Sequence, residues 1–114
     1  MKHLKLVINN SIEKKDFFFN KNELKSILNL YAQMVSGGIW KDYSLNVTKN
    51  EISFNIYKRT TEYPIYKITK LLKIKYSNSK YCVKDTNGTL INKSNNLKNL
   101  IRNVKWNNLK LVNQ

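Results

Sequence analysis

Twelve residues between Tyr57 and Tyr81 interleave cations with aromatic rings: Tyr57, Lys58, Arg59, Tyr63, Tyr66, Lys67, Lys70, Lys73, Lys75, Tyr76, Lys80 and Tyr81. A lysine or arginine neutralises a phosphate and releases its counterions, and an aromatic face stacks on a base. The mixture therefore suits a nucleic acid. Lys58, Arg59, Lys67, Lys73 and Lys75 are the candidates for phosphate contacts, with Tyr57 and Tyr63 for stacking. The same run also reads as a solvated charged face. Tyr66 and Tyr76 fall on the apolar side of the strand that the alternation predicts, and no specific RNA-binding signature accompanies the run.

A second patch has the composition of a protein-binding hot spot: Trp40, Asp42 and Tyr43, with Arg59 and Glu62 brought near by the fold. The competing reading places Trp40, just past a glycine-ended helix, in the edge of the core. Enzyme chemistry finds little material. His3 is the single histidine and sits in a polar arm, away from any pocket that a metal or a nucleophile would need. The seven carboxylates are scattered, and Asp42 with Glu62 is the one pair that could meet for acid/base work. Cys82 stands alone, so an internal disulfide or a cysteine-rich zinc site is excluded. Gly37-Gly38 follows a helix, whereas a phosphate loop precedes one. The expectation is a non-enzymatic protein without cofactor or small-molecule substrate, whose partner is a nucleic acid or another protein.

Position of charge says more than its total. The formal net charge is +14, but the chain is rich in Lys, Asn and Ile with only two arginines, as an AT-rich genome imposes. Thirteen basic and two acidic side chains fall in residues 58–114. No apolar run approaches the roughly 20 residues that span a membrane, and the Leu4–Ile8 stretch is too short for a signal-peptide core. No membrane contact and a cytoplasmic location are expected.

The elements that would position these residues start with a helix. Asn20 and Glu23 are spaced as a capping box, flanked by Phe19 and Leu24 as a hydrophobic staple. Leu24, Ile27, Leu28, Tyr31 and Val35 follow the spacing of one buried face, widened by Leu30 and Met34, and Gly37-Gly38 ends the helix. Phe17 and Phe19 would share one face of an entering strand, with Phe18 on the other. Tyr43, Leu45 and Val47 alternate with polar residues, Lys49-Asn50 turns the chain, and Ile52, Phe54 and Ile56 repeat the pattern. From Ile65 to Tyr76 the even positions are apolar except Lys70, which predicts a bulge or break near Lys70-Leu71. Asn87-Gly88 marks a hairpin between Tyr81–Lys84 and Thr89–Asn92. Ser94 or Asn95 would cap a shorter helix carrying Leu97, Leu100, Ile101 and Val104, followed by an apolar tail of Trp106, Leu109 and Leu111.

Two stretches carry a resemblance. Phe19, Glu23-Leu24, Ile27-Leu28, Tyr31, Met34-Val35, Gly38, Trp40 and Asp42-Tyr43 form the first. Lys58-Arg59, Glu62, Pro64-Ile65-Tyr66 and Ile68 form the second. Together they resemble an alphaproteobacterial family catalogued as domain of unknown function 2794, over roughly residues 18–104. The resemblance implies a bacterial, cytoplasmic, single-domain protein and supplies no catalytic or binding residues. The expected architecture is α+β: a single antiparallel meander sheet with a long N-terminal helix and a shorter C-terminal one, over residues 17–114. Residues 1–16 are expected to form a weakly ordered arm.

Overall fold

The computed structural model describes residues 18–59, 63–73 and 79–106. The predicted arm, Phe17, Glu62, Lys75, Tyr76, Leu109 and Leu111 lie outside these residues. The chain runs α1 (Lys21–Ser36), β1 (Asp42–Val47), β2 (Glu51–Tyr57), β3 (Tyr66–Leu71), β4 (Tyr81–Asp85), β5 (Leu90–Ser94) and α2 (Leu97–Asn103). The strands pair in sequence order, each antiparallel to the next, so the sheet is the expected meander.

The capping box at the start of α1 is closed in both directions. Asn20 Oδ1 accepts from the Glu23 N–H at 2.8 Å, and Glu23 Oε1 accepts from the Asn20 N–H at 2.7 Å. Past Ser36, Gly38 takes a left-handed backbone at φ 75°, a conformation that costs a side chain with a Cβ about 1–2 kcal/mol. The buried stripe is rotated from the expected one. Glu23, Ile27, Leu30 and Met34 are buried, Leu24, Leu28 and Tyr31 are half-buried on its flank, and Val35 is exposed. The reason is polar: Glu23 has two partners beneath the helix, and meeting them turns that side inward.

β2 is the centre of the core. Ile52, Phe54 and Ile56 are fully buried, as are Ile68 on β3 and Val83 on β4, each such side chain contributing about 1.5–3 kcal/mol by burial. β3 ends at Leu71, so the interruption foreseen there is real. Lys70 nevertheless keeps register, opposite Ile52 on one side and Tyr81 on the other, and is 3% exposed. It tolerates the interior because its ammonium donates to Glu23 Oε1 and to the Phe18 carbonyl, both at 2.8 Å. The irregularity in the sheet lies instead between Val83 and Lys84, in the β4–β5 pairing. At that hairpin Gly88 has φ 82°, and Asp85 Oδ1 accepts from the N–H groups of Asn87 and Thr89.

Three local expectations are corrected. Asn96, and not Ser94 or Asn95, caps α2, its Oδ1 accepting from the Asn99 N–H at 2.9 Å. β5 begins at Leu90 and extends to Ser94, because Thr89 is spent closing the turn. Phe18 and Phe19 are both buried, their rings edge to face, because the chain bends at Phe18 instead of entering as a strand. Trp106 returns into the core as expected and stands edge to face on Trp40 with centroids 5.6 Å apart. No helix among the described residues is long and apolar enough to cross a membrane.

Candidate nucleic-acid interface

Residues paired across antiparallel strands point to the same side of a sheet, so the register sorts every strand position into two faces. One face carries Ile52, Phe54, Ile56, Tyr66, Ile68, Lys70, Tyr81 and Val83, and both helices pack there. Glu23 of α1 reaches Lys70 and Tyr81, and Trp106 beyond α2 packs on Tyr66 at 4.9 Å. The other face has no helix against it among the described residues.

That second face is polar and carries a band of cations. One row across it reads Ser44, Asn55, Lys67, Lys84 and Leu90, from β1 to β5. The adjacent row reads Asn46, Ser53, Thr69, Cys82 and Lys93. Lys67 and Lys84 are therefore direct cross-strand neighbours, with Cβ atoms about 4.5–5.5 Å apart, a destabilising arrangement for like charges. Lys93 pairs with Cys82, two residues before Lys84, and follows Lys84 on the next strand. Tyr57, also on this face, is diagonal to Lys67 on the opposite side. The result is an oblique track, Tyr57, Lys67, Lys84, Lys93, crossing four adjacent strands. None of the three lysines has a carboxylate at ion-pair distance among the described residues.

The described carboxylates are in large part committed elsewhere. Glu23 is spent on Lys70 in the core, Asp42 Oδ1 accepts from the Tyr43 N–H at 2.8 Å, and Asp85 holds its turn. By the register Glu51, at the start of β2, and Asp42, paired with Tyr57, lie on the same face as the track, and Glu51 acts on Cys82. Burial pushes the Cys82 thiol up, Lys84 opposes that, Glu51 adds to it, and a hydrogen bond with Thr69 lowers it again. The outcome is a raised pKa, so Cys82 is a poor nucleophile at neutral pH.

Beside the track the floor is low. Ser53, Asn55 and Thr69 are short and buried, and their polar groups are joined to their neighbours. Ser53 Oγ donates to Asn55 Oδ1 at 3.1 Å, Asn55 Nδ2 donates to Ser44 Oγ at 3.2 Å, and the Ser44 and Tyr57 hydroxyls share a hydrogen bond at 3.1 Å.

The predicted phosphate residues divide by position. Lys67 is exposed on the track, and Lys58 and Arg59 are exposed where β2 ends. Lys73 is exposed but lies beyond β3, so it does not continue the strand face that Lys67 occupies. Tyr57 is half-buried on the track and Tyr63 is 81% exposed before β3. Lys84 and Lys93 were missed by the sequence reading. The signal for Lys84 was present, since Tyr81 and Val83 point inward and so Cys82 and Lys84 must point outward, whereas Lys93 is placed by its pairing with Cys82.

The predicted protein-binding patch does not assemble around Trp40. Its side chain is 2% exposed and packs on Tyr31, Tyr66 and Trp106, so the core reading of this residue holds and it offers no surface anchor. Its indole N–H has no hydrogen-bond partner among the described residues. Tyr43 stacks on Phe54 with centroids 4.6 Å apart and planes 8° from parallel, while Asp42 is exposed.

On the helix side, a shallow cleft of about 240 Å³ is lined by Asn20, Glu23, Ser26, Tyr81, Asn95 and Lys98, among others. Glu23 is the acid nearest any chemistry there. Burial alone would raise its carboxyl, but hydrogen bonds from Lys70, Tyr81 and the Asn20 N–H overrule that and hold it below the usual carboxylate range. Burial, and then the Glu23 carboxylate, push the Tyr81 phenol far up. Both groups are locked in one protonation state at neutral pH, which suits a structural clamp and not proton transfer.

A family model described as protein of unknown function (DUF2794) matches residues 17–101. No curated protein and no solved structure matches the chain.

Proposed function

The chain belongs to the DUF2794 family, to which no activity is assigned, and from that premise we propose that it is a non-enzymatic nucleic-acid-binding module. Lys67, Lys84 and Lys93 contact phosphates from the sheet face opposite α1 and α2, and Lys58 at the end of β2 extends the positive field. The observation that carries this reading is the Lys67–Lys84 pair. A fold that sets two lysines directly opposite each other, with no carboxylate at ion-pair distance among the described residues, gives up stability that an anionic partner restores. Lys93 on the next strand turns the pair into a line, which fits a polymer of phosphates better than a single small anion.

Binding of labelled RNA and DNA is measured across a salt series, with wild type beside a Lys67→Gln/Lys84→Gln/Lys93→Gln variant. The reading expects binding that falls linearly in log–log form with salt, and a weaker, flatter dependence in the variant. Equal binding by both proteins, or none by either, would overturn it.

A further inference from the structure

We infer that the edge of β1 is an interface on which a second copy of this chain docks, strand to strand, so that two sheets continue into one. The two edges of the sheet, β1 and β5, are finished differently. On β5 stands Lys93, its N–H is taken by Asn92 Oδ1 at 2.7 Å, and the pairing with β4 is irregular between Val83 and Lys84. Each of these discourages a further strand. β1 keeps regular register with β2 over the whole of Asp42–Val47 and carries no lysine or arginine. In an antiparallel ladder alternate residues turn their N–H and C=O away from the partner. The Thr48 N–H bonds across to the Glu51 carbonyl, and that phase leaves Leu45 and Val47 facing out, their backbone groups without a hydrogen-bond partner among the described residues. At the far end of the edge, Asp42 Oδ1 accepts from the Tyr43 N–H.

Apolar surface runs beside these open amides. Leu45 is half-buried and Val47 is 49% exposed on the side of the sheet that faces α1. Leu24 and Leu28 are half-buried on the flank of α1 that also carries Tyr31, whose ring meets Tyr43 of β1 at 4.9 Å. A twofold axis centred on Asn46 pairs Leu45 with Val47 of the second copy and Val47 with its Leu45, each pair exchanging both N–H···O bonds. The edge is thus its own complement. Apolar side chains meet on the helix side, and Asn46 meets Asn46 on the other. Charge agrees with this occupant. The same register sets Lys49, in the turn after β1, next to Asp42 of the second copy, while Lys67, Lys84 and Lys93 stay at least two strands from the seam. A chain of net charge +14 associates with itself most readily along the edge strand that carries no cation.

The test is sedimentation velocity of the full chain, freed of nucleic acid, over a concentration series at low and high salt, with Val47→Lys on the β1 edge beside Leu90→Lys on the β5 edge. The two side chains are 49% and 47% exposed, so one copy of the fold accepts either change. Wild type is expected to pass from one chain to two as concentration rises, more readily at high salt because repulsion between cationic copies is screened. Val47→Lys is expected to weaken that association by about tenfold or more, since it sets a charge on the seam, and Leu90→Lys to leave it unchanged. Amide exchange in the wild type is a second readout: the Leu45 and Val47 N–H groups should exchange freely at low concentration and slow as the dimer forms. If Val47→Lys fails to fold, amide exchange decides alone. A wild type that stays a single chain up to about 1 mM overturns the inference. So does association that survives Val47→Lys or is lost in Leu90→Lys, and so do Leu45 and Val47 amides that exchange freely in the dimer. The nucleic-acid reading stands or falls separately, because the β1 edge is argued without it.

Discussion

Replacing Lys70 by Met should be among the most damaging single changes in this fold, although the new side chain is apolar and of similar length. Lys70 is 3% exposed and Glu23 7%, and among the described residues the ammonium is the one full positive charge paired with that carboxylate. Removing it leaves a buried anion held by the Tyr81 hydroxyl and the Asn20 N–H, and strips the Phe18 carbonyl of its lysine donor. Breaking one partner of a buried pair costs about 3–5 kcal/mol, against a total stability of about 5–15 kcal/mol for a domain. At about 4 °C per kcal/mol for this chain length, Tm should fall by roughly 12–20 °C. Adding Glu23→Gln to Lys70→Met should recover about 1–3 kcal/mol, because glutamine still closes the capping box but carries no charge. Urea unfolding at pH 7 of the two single variants and the double, followed by circular dichroism, completes the cycle. A loss below about 1 kcal/mol for Lys70→Met, or a double variant no more stable than Lys70→Met, would refute the clamp.

Three further outcomes follow from the same contacts. The Glu23 carboxyl is held below its unfolded value, so the unfolded chain takes up the proton first as pH falls. Its contribution is therefore full above the usual carboxylate range and lost as pH drops through the folded value, and the acid limb of a stability profile should flatten in Glu23→Gln. Gly38→Ala should cost about 1–2 kcal/mol, since φ is 75° there, while Gly37→Ala, at φ −81° with its nearest contact at 3.6 Å, should be neutral or stabilise by up to about 1 kcal/mol in thermal melts. Trp40→Ala should destabilise by about 3–5 kcal/mol, nearer the lower figure because the unpartnered indole N–H is lost with the ring. Under conditions where it stays folded, it should bind nucleic acid like wild type.

Local signals in the chain were strong enough to place the elements. Asn20 with Glu23, Asn87-Gly88 and the alternation through Ile52, Phe54 and Ile56 each act within a few residues, and the structure follows them. What escaped was long-range. Lys70 looked like a fault in an apolar face because its partner stands 47 positions earlier in the chain. The same partnership rotates α1, so Val35 is exposed where periodicity alone would bury it. The charged surface was legible as a composition and not as a place. Lys67 was found, Lys73 was assigned to a strand that ends two residues before it, and Lys84 came beside Lys67, with Lys93 one strand further, only through the register of β3, β4 and β5.

The most direct measurement compares two variants of identical net charge. One removes Lys67, Lys84 and Lys93 from the sheet face opposite the helices, and the other removes the exposed Lys21, Lys25 and Lys98 from the helices, all to Gln. If the sheet face is the site, losing three phosphate contacts lowers the slope of log affinity against log salt by about 2 for a single strand, and the helix variant keeps the wild-type slope. Slopes that fall equally in both variants would show that net charge alone attracts the polymer, and would contradict a nucleic-acid site on the sheet.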